Sequence, residues 1–117
     1  MKLVSRQAAV AFLRQPFVDW INSVEERSGS PTTFTIEEAN REAHVYLLDY
    51  HENWDANLAY VDESKPEIFE FELNAWFSDP NLWPAARSVE FIDRWLRIEL
   101  HSMLIDLEGG RIKKREG

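Results

Sequence analysis

Glycine is almost absent from the body of this chain, and that scarcity narrows the folds it can adopt. Three of the four glycines lie in the last nine residues, which leaves Gly29 alone in residues 1–108. Loops that cradle phosphate groups need several glycines, because only glycine lets the backbone approach the ligand closely. The sequence therefore argues against P-loop enzymes and dinucleotide-binding folds.

Cysteine is absent altogether, which removes disulfides, zinc fingers, iron–sulfur clusters and thiol nucleophiles from consideration. A chain without cysteine suits a reducing compartment. The apolar run Ala8–Leu13 ends at Arg14, and is shorter than the roughly 7–15 apolar residues of a secretion signal. No stretch approaches the roughly 20 apolar residues of a membrane span. We therefore expect a soluble, cytoplasmic protein.

The length of 117 residues is suited to one domain of ordinary size. Five Trp, seven Phe and three Tyr supply enough apolar surface for a core without covalent cross-links. We expect residues 1–108 to form one globular domain. Residues 109–117 carry four Lys and Arg, and we expect them to be a mobile basic tail.

Apolar residues at helical spacing predict a long helix over Ser5–Glu26. The residues that share one face are Leu13, Phe17, Trp20, Ile21 and Val24. Pro16 interrupts the series, because proline lacks an N–H and its ring clashes with the preceding turn. We expect either a kink there or a short helix ending near Arg14 and followed by a second one.

Two segments favour strands. Ala43–His51 is rich in β-branched and aromatic residues, and Arg97–Leu107 follows a helical pattern that decays after Leu96. We expect these two segments to pair with each other. Before the first of them, Thr35 and Glu38 have the spacing of a capping box, so a helical turn or another strand begins there.

The segment 53–78 fits two structures, and we favour a helix. Its apolar residues recur at helical spacing, but strict alternation from Phe69 to Phe77 would also suit a strand. Ser64, followed closely by Pro66, resembles the start of a helix within this segment.

A last helix is expected after Ser88, whose hydroxyl can cap the segment that carries Phe91, Ile92 and Trp95. The predicted fold class is therefore α+β, with a small antiparallel sheet of strands near 43–51 and 97–107 packed with three to four helices. An all-α bundle is the alternative.

Negative charge is concentrated in the middle of the chain. Between Glu37 and Asp79 there are twelve acidic residues and two basic ones, a balance of −10 against −8 for the whole chain. Such a field repels nucleic acid and anionic membranes and favours basic proteins. We expect a non-enzymatic interaction module, such as an inhibitor, an immunity-type protein or an adaptor, that binds a basic partner. The sequence also leaves a homodimer open.

The predicted partner-binding residues are carboxylates and tryptophans in this acidic region or just after it. They are Asp49, Glu52, Trp54, Asp55, Glu70, Glu72 and Trp83. Trp83 lies between prolines in a loop, where it could either anchor a partner or cover the edge of the domain's own core. We assign no cofactor, metal ligand or catalytic residue.

The alternative function is a small hydrolase or metal-dependent enzyme. If the two predicted strands pair, His44, Asp49, His51 and His101 could approach one another. Imidazole and carboxylate groups together perform general acid–base chemistry or bind a metal ion. The spacing is unspecific, so this hypothesis depends on whether the fold assembles the group.

Overall fold

A computed structural model of the chain describes residues 2–116, and its fold class is α+β, as the sequence predicts. The elements in chain order are β1 (Lys2–Val4), β2 (Arg6–Leu13), α1 (Gln15–Arg27), α2 (Ile36–Ala39), β3 (His44–Asp49), α3 (Trp54–Trp76), a 3-10 turn (Pro80–Leu82), α4 (Val89–Trp95), β4 (Leu96–His101) and β5 (Leu104–Asp106). Among these described residues, no helix is both long and apolar enough to span a membrane.

The main sheet has three antiparallel strands in the order β3-β2-β4. Val10 of β2 lies opposite Val45 of β3 on one side and Glu99 of β4 on the other. Both predicted strand segments are confirmed, but the expectation that they pair directly is wrong, because β2 lies between them. Since each is antiparallel to β2, β3 and β4 run in the same direction.

The central strand β2 occupies a segment for which the sequence predicts a helix, so that prediction is wrong over residues 6–13. The strand buries Ala9, Ala11 and Leu13 on one face and Ala8 on the other, so its sequence reads as a nearly continuous apolar run. This tertiary setting overrides the helix propensity of the three alanines. Pro16 lies in the first turn of α1, where its missing N–H costs nothing.

Helices α1, α3 and α4 cover one face of the sheet, called here the inner face. Phe17, Phe69 and Trp95 meet at the centre of this layer, with ring centroids 5.6–6.1 Å apart and edge-on packing. Such geometry is favourable for aromatic pairs beyond the area they bury. Ala9 and Ala11 of β2 form the floor of the core, and their small side chains let the helices approach closely.

Helix α3 confirms the helix prediction for 53–78 and corrects its details. It is one continuous helix of 23 residues, with Pro66 in its interior. Ser64 does not cap a new helix, because its hydroxyl donates to the carbonyl of Tyr60 one turn earlier. The other predicted caps are confirmed: Thr35 and Glu38 form a reciprocal capping box, and the Ser88 hydroxyl accepts from the Phe91 N–H.

Beyond the main sheet, the residues that precede β2 pair with the residues that follow β4, as strands β1 and β5. Val4 pairs with Leu104 and Ala8 pairs with His101, so the three residues 5–7 oppose the two residues 102–103, which places a one-residue bulge in the ladder. Leu3 and Ile105 lie opposite each other, and both are exposed. Residues 107–116 follow without helix or strand.

Candidate functional site

The predicted partner-binding residues are divided by the fold into exposed and covered groups. Asp49, Glu52, Trp54, Asp55 and Glu70 are exposed, from the end of β3 to the outer side of α3. The other two are covered: Glu72 is buried and Trp83 is half-buried.

Trp83 packs against the core from the loop after the 3-10 turn. Its indole N–H donates to the carbonyl of Phe77 at 2.7 Å. The indole is half-buried and its N–H already has a partner, so Trp83 covers the edge of the core. This is one of the two interpretations that the sequence leaves open for Trp83.

Helix α3 carries a row of carboxylates on its solvent-facing side. Glu63, Glu67 and Glu70 lie one turn apart and are all exposed. Residues three and four apart on a helix are neighbours, so these side chains repel one another. Within residues 2–116, none of the three takes part in an ion pair.

The single cation on α3, Lys65, is turned away from this row. Its ammonium group lies 2.9 Å from Asp62 and 2.8 Å from Asp93 of α4. These contacts hold the pKa of Lys65 above its usual value, although burial opposes them. Lys65 therefore tethers α3 to α4 and leaves the charge of the row uncompensated.

A groove of about 260 Å³ separates α3 from strand β3. Tyr46 and Leu48 line it from the strand; Glu67 and Phe71 line it from the helix. Phe71 is 59% exposed, although its ring lies 6.2 Å from that of Tyr46. The partner-binding residues predicted from the sequence do not include Glu63, Glu67 or Phe71, and helical spacing of the carboxylates was the signal that could have found the first two.

A second polar cluster lies on the inner face at the start of β3. The buried carboxylate of Glu72 is 2.7 Å from Nδ1 of His44 and also accepts the hydroxyl of Tyr46. Burial, reinforced by the neighbouring carboxylate, raises the pKa of Tyr46 well above its ordinary value. His44 and Glu72 also line a cavity of about 330 Å³, together with Trp76 and Asn40.

The remaining residues of the proposed histidine cluster are elsewhere. His44 lies opposite Ala11 and His101 opposite Ala8, so the two histidines are on opposite faces and opposite edges of the sheet. His101 contacts Glu99 at 2.8 Å. In the part of the chain that the structure describes, no three His, Asp or Glu side chains are grouped as a metal site would require.

Comparisons with known protein families, with curated proteins and with solved structures find no match for this chain. The structural features that bear on function are the acidic row, the groove beside it and the His44–Glu72 pair.

Proposed function

We propose that this protein is a non-enzymatic interaction module that binds a basic partner protein through α3. The binding region is the acidic surface, defined as the exposed carboxylates from the end of β3 along α3. They are Asp49, Glu52, Asp55, Glu63, Glu67 and Glu70. The observation that carries the proposal is the row Glu63–Glu67–Glu70, which has no counter-charge within residues 2–116.

A row of like charges on one helix face weakens the helix that carries it. Each pair of glutamates at this spacing destabilises the helix by about 0.2–0.5 kcal/mol. A lysine three or four residues from a glutamate would instead stabilise the helix by a similar amount. A feature that disfavours the fold and has no compensation inside it is expected at functional sites. A basic partner would supply the missing counter-charges and would be drawn in by the long-range field.

Exposed apolar side chains beside the acidic surface provide contacts that charge alone does not. Trp54 at the start of α3 and Phe71 near its end are each more than half exposed. Aromatic residues at the centre of interfaces often contribute most of the binding free energy. The proposal therefore combines electrostatic attraction with two aromatic contacts. Because the chain has no cysteine, the location we propose is the cytoplasm.

The test is capture of partners by wild-type protein and by a variant in which Glu63, Glu67 and Glu70 are replaced by Lys. A control variant, with Glu26, Glu90 and Glu108 replaced by Lys, carries the same change in net charge at other exposed positions. We expect a basic protein to be retained by wild type and control, lost by the row variant, and released at high salt. Equal retention by both variants would contradict the proposal.

The pair His44–Glu72 favours a second candidate function, a small hydrolase. A buried carboxylate at Nδ1 orients the imidazole, and the exposed half of the ring borders the cavity, where Nε2 could act as a general base. The test is hydrolysis of model ester and phosphate-ester substrates by wild type, His44→Gln and Glu72→Gln. Equal rates in the three proteins would remove the basis of this candidate.

A further inference from the structure

Strand β3 is an edge of the main sheet, and its four central residues, Val45–Leu48, carry no charge that would protect that edge. His44–Asp49 contains no lysine, proline or bulge, the devices by which exposed edges usually avoid pairing with other chains. The opposite edge, β4, carries charge within the strand, because Glu99 lies 3.0 Å from Arg97 and 2.8 Å from His101. In β3 only the two terminal residues are ion-paired, His44 with Glu72 and Asp49 with Arg6. The free backbone groups of β3 are therefore the ones available to another strand.

The two sides of β3 differ in chemistry. Val45 and Leu47 point to the outer face of the sheet and are 58% and 53% exposed. Tyr46, between them, points toward α3 and the groove bordered by Phe71 and Glu67. A strand added beside β3 would alternate in the same way, since successive side chains point to opposite faces.

We propose that β3 binds an extended segment of a basic partner protein as an added strand of the sheet. The segment alternates apolar and basic residues: its apolar side chains pack beside Val45 and Leu47, and its Lys or Arg side chains lie in the groove. There the aliphatic stems cover Phe71 while the charged ends reach Glu67 and its neighbours in the row. This mode of recognition uses backbone hydrogen bonds for affinity and side chains for specificity. It rests on the function proposed above, whose acidic row it uses.

A second copy of this chain fits the same edge less well. Helix α3 lies over the inner face beside β3, with Glu72 of the helix contacting His44 and Tyr46 of the strand. Pairing β3 with β3 of another copy about a two-fold axis would therefore bring two α3 helices side by side. Their acidic rows would repel, whereas a basic segment neutralises the one row that is present.

The experiment measures binding of the full chain to a synthetic seven-residue peptide of alternating lysine and valine, blocked at both ends. Two further peptides carry N-methyl groups, one on every valine and the other on every lysine. Since alternate N–H groups of a strand point to the same edge, strand addition predicts that one methylated peptide binds at least about tenfold more weakly and the other nearly as well. Amide NMR signals of residues 44–49 should shift on binding.

Two pairs of variants locate the peptide. Phe71→Ala and Glu67→Lys should each weaken binding by about tenfold, a loss typical of a central contact. The controls Leu58→Ala, another exposed apolar residue of α3, and Glu26→Lys should leave binding unchanged.

The possible results separate this inference from the function on which it rests. If binding is salt-sensitive but neither methylation pattern weakens it, strand addition is overturned and the acidic interaction surface is still supported. Strand addition is also overturned, and the acidic surface still supported, if the peptide does not bind but replacing Glu63, Glu67 and Glu70 by Lys abolishes capture of a partner. A dimer seen by sedimentation at micromolar concentration, with signals of residues 44–49 protected and no peptide binding, would assign the edge to a second copy instead.

Discussion

The side-chain amide of Asn40 forms hydrogen bonds with both backbone polar groups of Leu13. Its Oδ1 accepts the Leu13 N–H at 2.7 Å and its Nδ2 donates to the Leu13 carbonyl at 2.9 Å. Strand β3 begins only at His44, opposite Ala11, so it does not reach the end of β2. Asn40 therefore takes the place of a strand neighbour for the last residue of the central strand.

Asn40→Ala should lower the free energy of unfolding by about 2 kcal/mol, because two half-buried backbone groups of Leu13 lose their partners. Urea denaturation followed by circular dichroism measures this. As a control, Asn74→Ala on the exposed side of α3 should change stability by less than about 0.5 kcal/mol. Equal effects of the two substitutions would mean that the Asn40 contacts contribute nothing specific.

The phenol of Tyr46 makes stability fall at alkaline pH. Its pKa is raised in the folded protein, so above about pH 10 the unfolded chain releases a proton that the native state keeps. That proton difference lowers stability by about 1.4 kcal/mol per pH unit. Tyr46→Phe removes this contribution, so its stability should fall less steeply than that of wild type between pH 10 and roughly 11.

A spectroscopic control checks that the effect belongs to Tyr46. In the folded state, alkaline titration of tyrosine absorbance should give the same amplitude for wild type and Tyr46→Phe, because the raised pKa of this half-buried phenol keeps it protonated. In concentrated urea, the wild type should ionise one more tyrosine. A folded-state amplitude that drops in the variant would show that the phenol ionises normally.

Pro66→Ala should stabilise the protein by about 1–3 kcal/mol, because an interior proline removes a helical hydrogen bond and clashes with the preceding turn. Thermal and urea unfolding both report this. Pro31, which lies in a segment without helix or strand, supplies the control: Pro31→Ala should be neutral or destabilising by up to about 1 kcal/mol. A Pro66→Ala protein no more stable than wild type would show that α3 accommodates the proline without cost.

Glu67→Gln should raise the free energy of unfolding by about 0.2–0.5 kcal/mol, because it removes the repulsion with Glu63 and Glu70. The gain should shrink at high salt, which screens exposed charges. Glu90→Gln is the control and should not stabilise, because Glu90 lies in the first turn of α4, where a carboxylate is favourable. If Glu67→Gln destabilises at low salt, the carboxylate has a favourable partner and the argument for an uncompensated row fails.

Local signals in the sequence predicted much of the helical structure. The Thr35–Glu38 box and the Ser88 cap depend on hydrogen bonds over three residues, so spacing alone identifies them. Strand β2 could not be read in the same way. An alanine-rich run suits a helix until strands on both sides bury it, and the partners of β2 come from residues 44–49 and 96–101.

The sequence predicted the negative charge of the candidate site but not its shape. The excess of carboxylates was visible in the composition, whereas the groove requires that α3 lie beside β3, which no local pattern specifies. Glu72 illustrates the difference, because it was assigned to the exposed acidic set but points inward to His44 and Tyr46. A fold with strands separated by whole helices brings together residues that sequence spacing keeps apart.

The pairing of β1 with β5 determines how the molecule would respond to tension. Lys2 lies opposite Asp106, so the outer ends of β1 and β5 lie side by side at the same end of an antiparallel ladder. A force applied between them would load one pair of hydrogen bonds at a time, first in β1 and β5 and then in β2 and β4. Because β2 is the central strand, such peeling would detach β3 from its only neighbour in the sheet, and the protein should yield at low force.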